Sequence, residues 1–272
     1  MKKLLTNTLR ILSVFGLDPV RAIRNFVGLP FYFKTFFELK KQLRNVDTIF
    51  RFGSFHPCLN DANAKGGTAS GHYFHQDLLV ATRIFEKNPA KHVDVGSRVD
   101  GFVAHVATYR QIEVIDIRPL KGISEKIVFI QADLMNEPPE NMKGYCDSLS
   151  CLHALEHFGL GRYGDPVAWD GHIEGLRNLT KLLAPNGTLY LSVPMGPQRI
   201  EFNAHRVFCL EYLLQLIEEW YEVVSFAYVD DRGDLYQKVK LEKQSIEDNF
   251  GCNYGCAIFE LEKRAYKRAI RV

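Results

Sequence analysis

The sequence predicts an α/β protein: a three-layer α-β-α sandwich around a mostly parallel, seven-stranded sheet with an antiparallel last strand, preceded by a helical N-terminal extension. Three observations predict it. From His92 onward, short apolar or β-branched runs alternate with helix-length segments, as crossover-connected parallel strands require. The last two runs are joined by a polar connection that needs no crossover helix, so they read as an antiparallel pair at the sheet edge. The first fifty residues carry helical apolar periodicity with few turn signals.

The opening run from Met1 to Leu17 combines two lysines with apolar residues, so targeting or membrane contact has to be weighed. Arg10 interrupts it, and Ile11 to Leu17 is too short to span a bilayer. Asp18-Pro-Val-Arg follows in place of a small-residue cleavage site. Two readings stay open: a pair of amphipathic helices packed on the domain, or an interfacial helix helped by Phe31-Tyr-Phe-Lys-Thr-Phe-Phe37. The expected location is cytoplasmic, with peripheral contact through residues 1–40 to the inner face of the membrane as the sharper alternative.

Arg51 to Gly71 is rich in Gly, Asn, Pro and Ser and reads as a loop. The boundary is therefore expected at residue 70: residues 1–70 form the extension and loop, residues 71–272 the main domain. A helix is expected over Gln76–Glu86, stopping at Asn88-Pro89. The expected strands are His92–Val95, Glu113–Ile117, Ile127–Gln131, Asp147–Leu152, Thr188–Val193, Tyr221–Val229 and Cys256–Leu261. Ile173–Leu183 is the clearest crossover helix, with Pro185-Asn-Gly187 as its stop signal, and Leu210–Glu219 is another.

Composition narrows the function. The chain has 272 residues, 46% apolar and 24% charged, with a net charge of only +2. No long Lys/Arg block stands out, so no nucleic-acid partner is expected. The six cysteines are scattered in a large chain without a secretory signal, which favours reduced thiols. Cys252 and Cys256 have no second pair at zinc-ligand spacing, so no zinc is expected there.

The chemistry concentrates at the expected strand ends, where open α/β sheets bind ligands. After the first strand, Gly96 permits a tight turn and Gly101 lets the next segment approach. Where a dinucleotide fingerprint needs its middle glycine, the chain has Arg98. Asp116 ends the second strand, where a carboxylate can accept both ribose hydroxyls of a nucleoside. Asp133 ends the third, placed to accept an adenine amine. Arg98 and Asp100 argue against a pyrophosphate, which needs close backbone approach. S-adenosylmethionine carries no phosphate and tolerates side chains in this loop.

The series "HVDVGS", "VIDIRP", "QADL", "DSLSCLHALEH", "LLAPNGTLYLSVP" and "GCAIFELEKR" resembles, in order, the Rossmann-like S-adenosylmethionine-dependent methyltransferases over about residues 70–265. Asp147 to His157 is similar to the fourth-strand motif of ubiquinone-type O-methyltransferases. More closely, "YFHQDLLVA", "DVGSRVDGFVAH" and "LHALEHFGLGRYGDP" resemble a bacterial and nematode methyltransferase-like family of unknown function, associated with surface-glycan assembly. The resemblance implies S-adenosylmethionine as cofactor. It places Asp94, Gly96, Ser97 and Gly101 at the methionine end, Asp116 and Ile117 at ribose, and Asp133 and Leu134 at adenine. Cys151 would flank the cofactor, and Tyr73 and Gln76 would reach its carboxylate or ammonium.

On the acceptor side, His157 is the first candidate for a general base, with His153 and His205 behind it. Helical spacing puts His153 and His157 on one face. Arg162, Tyr163, Asp165 and Arg206 are expected to bind the acceptor, Arg162 through its bidentate fork. His153-x-x-Glu156-His157 could also ligate a metal, but three ligands within about one turn are awkward, and no metal is expected. The expected function is methylation of a hydroxyl on a sugar, nucleotide sugar or lipid-linked glycan in surface polysaccharide synthesis. The alternatives are a non-catalytic binding or assembly protein of this fold, or a Rossmann enzyme that uses a nucleotide sugar directly.

Overall fold

Asp18 starts the first described long helix by accepting the Arg21 N–H at 2.9 Å, and Pro19 occupies its first turn, where no amide partner is needed. The computed structural model describes residues 8–9, 11–46, 50–122 and 124–265, in two compact units, Met1–Thr68 and Ala69–Val272. In the first unit, helix α1 (Pro19–Gln42) ends in Lys40 and Lys41, which complement the helix dipole. The loop after it folds back onto α1: Phe36 packs against Phe52 and Phe55, with ring centres 5.2 and 5.3 Å apart. Asn60 donates to Asn25 at 2.5 Å. Residues 1–7 and Arg10 of the opening run lie outside the described residues. Among those described, no helix is long and apolar enough to cross a membrane.

The second unit opens with α2 (His72–Lys87), which buries Val80, Ala81 and Ile84 one turn apart. Strand β1 (His92–Val95) is buried on both faces, as the centre of a parallel sheet demands. A π-type turn over Val99–Val103 and the short helix α3 (Ala104–Ala107) lead to β2 (Ile112–Asp116), and a loop leads to β3 (Ile127–Gln131). Then come β4 (Cys146–Leu152), α4 (Gly171–Leu182), β5 (Leu183–Met195) and a hairpin of β6 (Arg199–Glu201) with β7 (His205–Val207). Helix α5 (Leu210–Glu218), β8 (Tyr221–Val229), β9 (Leu235–Tyr236), α6 (Lys243–Glu247) and β10 (Gly255–Lys263) complete it.

Among the described residues the main sheet has eight strands in the order β3-β2-β1-β4-β5-β10-β8-β9. β3, β2, β1, β4 and β5 are mutually parallel, and β10 runs antiparallel to both β5 and β8. One face is covered by α2 and the α3 region through Ile84, Phe102 and Val106. The other is covered by α4 and α5 through Leu176, Leu179, Leu213 and Ile217. This is the three-layer sandwich the sequence predicts.

Three details differ from the expectation. An eighth strand, the two-residue β9, extends the sheet beyond β8. The antiparallel pair forms, but β10 lies inside the sheet between β5 and β8, because its first seven residues are all buried and need cover on both edges. The connection from β2 to β3 is a loop with no helix, so the helical layers thin out on the β3 side. Order reverses between β1 and β4, which opens a crevice at their carboxyl ends.

Candidate active site

A cavity lined from the ends of β1, β2, β3 and β4 in turn occupies that crevice. At its edge Gly96 turns the chain with φ +73°, a left-handed conformation that costs a side-chain-bearing residue strain. A Cβ there would stand 2.8 Å from Cβ of Ala154 beyond β4, so the glycine also lets two loops meet. Asp94 beneath it is fully buried. Its carboxylate accepts from Ser97 Oγ at 2.8 Å, Ser97 N–H at 3.1 Å and Ser150 Oγ at 2.5 Å. Burial raises its pKa to about 6 against the pull of those hydrogen bonds. Asp94 and Ser97 therefore fix the loop from below and do not line the cavity.

Arg98 and Asp100 lie outside the cavity lining, paired with one another at 2.9 Å on the surface. Neither blocks the loop. Gly101 also lies outside the lining. Its missing side chain makes room for Asp77, whose Oδ2 would be 3.1 Å from a Cβ.

The acids at the next two strand ends do line the cavity, together with Ile117 and Leu134. Asp133 accepts from Met135 N–H at 2.9 Å and Asn136 Nδ2 at 3.3 Å. Asp116 accepts from Arg118 three times: its N–H at 2.8 Å, Nε at 3.0 Å and Nη2 at 2.6 Å. The same guanidinium stacks on the Tyr163 ring at 4.5 Å, tying the loop after β4 to the end of β2.

Beyond β4, His153 has φ +50°, an uncommon conformation for a residue with a side chain. It breaks any helical run, and only a 3₁₀ turn forms over Leu155–His157. The two histidines therefore do not share a helical face, although both line the cavity. His153 Nδ1 contacts the buried Glu156 carboxylate at 2.7 Å. Burial disfavours its charged form, but Cys256 and Glu156 outweigh it and hold the His153 pKa well above the usual range. His157 Nδ1 lies 2.7 Å from the Ala204 carbonyl, which can only accept, so Nδ1 carries the proton and Nε2 is the free base. Burial lowers the His157 pKa, so its ring is neutral at pH 7.

The loop that follows bends through Gly159, Gly161 and Gly164, all at positive φ. Tyr163 and Asp165 line the cavity, but the Asp165 carboxylate is engaged by the N–H groups of Gly159, Gly161 and Tyr163. Its role is to brace the loop.

The structure places several of the expected site residues outside the cavity lining. Arg206 is buried and donates to the carbonyls of Glu156, Phe158, Ala168 and Trp169 at 2.6–3.4 Å. Through both terminal nitrogens it holds the loop. Arg162 lies outside the lining, bonded to the Ala204 carbonyl at 3.0 Å. His205 packs beside His157 and Tyr254, also outside the lining. Gln76 is buried, accepting from Ser192 Oγ and donating to Asp77, so it does not reach the cavity. Tyr73 leans on the His153 ring at 5.1 Å, behind the lining. Cys151 is wholly buried in the sheet core.

Arg118 is a cavity-lining residue not expected from the sequence, although its position two residues after Asp116 is a local signal for pairing. His72 and Cys256 flank His153 but stand far from it in the chain, and the sequence spacing sets Cys256 only beside Cys252. No local signal joins those three. The six cysteines, all among the described residues, are free thiols.

A family model described as "Caenorhabditis protein of unknown function, DUF268" matches residues 111–252, just over half of the chain. The chain belongs to the DUF268 family. The match covers Asp116, Asp133, both histidines after β4 and the glycine-bent loop, so the cavity-lining elements from β2 onward are family territory. No curated protein matches the chain. Among solved structures, the [4+2]-cyclase SpnF is 16% identical with a TM-score of 0.52, covering 71% of this chain and 82% of its own. The N-methyltransferase NodS from Bradyrhizobium japonicum WM9, solved with S-adenosylhomocysteine, is 13% identical with a TM-score of 0.45 over 71% of this chain and 88% of its own. The 1,6-didemethyltoxoflavin-N1-methyltransferase of Burkholderia thailandensis is 15% identical with a TM-score of 0.47, over 70% and 78% respectively. The chain has a Rossmann-like fold, shared with SpnF.

Proposed function

We propose that this DUF268 chain is an S-adenosylmethionine-dependent O-methyltransferase acting on a hydroxyl of a sugar, nucleotide sugar or lipid-linked glycan in surface polysaccharide assembly. One observation carries the reading: a single cavity gathers Gly96, Asp116, Asp133 and His157 at four successive strand ends. The residues fit the cofactor. Gly96 lines the cavity without a side chain, Asp116 can take the ribose hydroxyls, and Asp133 with Leu134 can hold adenine. When bound, S-adenosylmethionine supplies a methyl group on a sulfonium, open to in-line displacement. His157 takes the proton from the acceptor hydroxyl, a task suited to a ring that is neutral at pH 7. The loop braced by Arg206 and Asp165 closes the cavity and limits water. The glycan class rests on the resemblance to glycan-associated proteins.

The lipid-linked form of the acceptor goes with a cytoplasmic protein touching the inner membrane face through residues 1–40. In α1, Phe26, Phe31 and Phe37 are exposed, with Lys40 and Lys41 in its last turn. Deleting residues 1–40 should move the protein out of the membrane fraction. Unchanged partitioning would reject the contact.

One observation favours a second reading, a non-catalytic binding protein: Arg118 already engages both oxygens of Asp116. The two separate on methyl transfer. Incubation with methyl-labelled S-adenosylmethionine and pooled nucleotide sugars or lipid-linked oligosaccharides should give a base-stable methyl ether. The His157→Ala variant should lose that transfer while binding S-adenosylhomocysteine as before. No label in any pool, or full transfer by His157→Ala, would overturn the assignment.

A further inference from the structure

His72 opens α2, His153 follows β4, and Cys256 is the second residue of β10. The fold brings one ligand atom from each to within 4.8 Å of the others. We propose that these three side chains form a zinc site in the wall of the cavity, with an open fourth coordination position.

Four features point to a cation. His153 is more than nine-tenths buried, and its Nε2 has no nitrogen or oxygen partner among the described residues, only the weakly bonding Cys256 thiol. An orphaned ring nitrogen so placed is costly unless something ligates it. Its other nitrogen is held by Glu156 at 2.7 Å, the carboxylate–histidine arrangement that orients a metal ligand and strengthens it as a donor. Glu156 is itself 1% exposed, and its second oxygen also lacks a partner. The buried Cys256 thiol adds a soft donor within 4.8 Å of both imidazoles.

The two rings already lie side by side, and a turn of the partly exposed His72 ring would let both lone pairs converge on one ion. The imidazoles of His72 and His153 stack with centres 5.2 Å apart and planes 4° from parallel, and Tyr254 stacks on the far side of His72 at 5.4 Å. His153 holds its left-handed backbone conformation in this arrangement, strain of the kind that collects at functional sites.

The donor set selects the metal. Two imidazoles and a thiol exclude calcium and magnesium, which want oxygen ligands, and suit zinc. Three protein ligands are the number found in zinc sites that keep a position open, whereas structural sites close with four. Because His153 lines the cavity, the open position borders the space assigned to the acceptor. That an acceptor oxygen occupies it rests on the methyltransferase reading, while the metal site itself does not.

Zinc and cobalt titrations of the full-length, reduced chain test the site without any methyl donor. One cobalt ion should bind per chain with an intense thiolate-to-cobalt absorption band, and one equivalent of zinc should abolish that band. Cys256→Ser and His72→Ala should each weaken zinc binding, Cys256→Ser removing the band outright. Glu156→Gln should weaken zinc binding by about 10–100-fold, as loss of an orienting partner does. His72 is only partly buried, so His72→Ala keeps the test alive where circular dichroism shows Cys256→Ser misfolded. No thiolate band, or wild-type zinc affinity in His72→Ala, would overturn the site. A calorimetric titration of the metal-free chain with S-adenosylhomocysteine reports separately on the methyltransferase reading.

Discussion

Gly96 turns at φ +73° with Ala154 Cβ facing it, so backbone and packing both require a residue without a side chain. Gly96→Ala adds left-handed strain of about 1–2 kcal/mol and a clash that must push the β4 loop outward. Calorimetry should show S-adenosylhomocysteine affinity reduced at least about tenfold, with a lowered melting temperature. Wild-type affinity in this variant would mean the Gly96 turn does not border the cofactor. His157 makes a second prediction at this scale. Burial lowers its pKa below the ordinary 6.5, and the base works only when unprotonated. Transfer rates should be flat above about pH 6.5 and fall on the acid side of that value. A profile that rises as pH drops through 6 would rule His157 out as base. Asp116, Asp133 and His157 were legible in the sequence because each ends a strand or directly follows one. His72 and Cys256 were not, since only the tertiary fold brings them to His153.

The loop after β4 is the element on which closure depends, and its order comes from two side chains. Arg206 binds four carbonyls and Asp165 three N–H groups, so the loop's backbone is satisfied without regular secondary structure. Arg206→Ala leaves those buried carbonyls short of donors and should cost about 2–3 kcal/mol in urea unfolding. A cost near zero would mean that the loop orders itself in some other way. In sequence Arg206 and Asp165 look like acceptor ligands, because a charged residue near a site reads the same whether it faces ligand or backbone. The seven strands were legible from apolar runs alone. The insertion of β10 between β5 and β8 was not, because strand order is set by which edges bury, a property no local run displays.

For the whole molecule, buried histidines set how stability responds to acid. Burial lowers the pKa of His72 and His172 to about 4 and that of His92 to about 3, so the unfolded chain binds more protons below pH 6.5. Their contribution is intact above pH 6.5 and is lost as pH falls toward 4. Asp94, raised to about 6 by burial, works in the opposite direction over part of that range. His153, whose pKa is raised, contributes stability that is complete below 6.5 and adds no slope there. The three histidines outweigh Asp94, and urea unfolding should show about 3 kcal/mol less stability at pH 5 than at pH 7. Equal or greater stability at pH 5 would contradict the neutral, buried state of these rings.

The central claim is that the cavity at the ends of β1 to β4 holds S-adenosylmethionine through Asp116. Calorimetric titration of the wild type and Asp116→Ala with S-adenosylhomocysteine tests it most directly. Micromolar binding at one site per chain, weakened about tenfold or more in Asp116→Ala, is the predicted result. No heat of binding by the wild type, or equal affinity in both proteins, would contradict it.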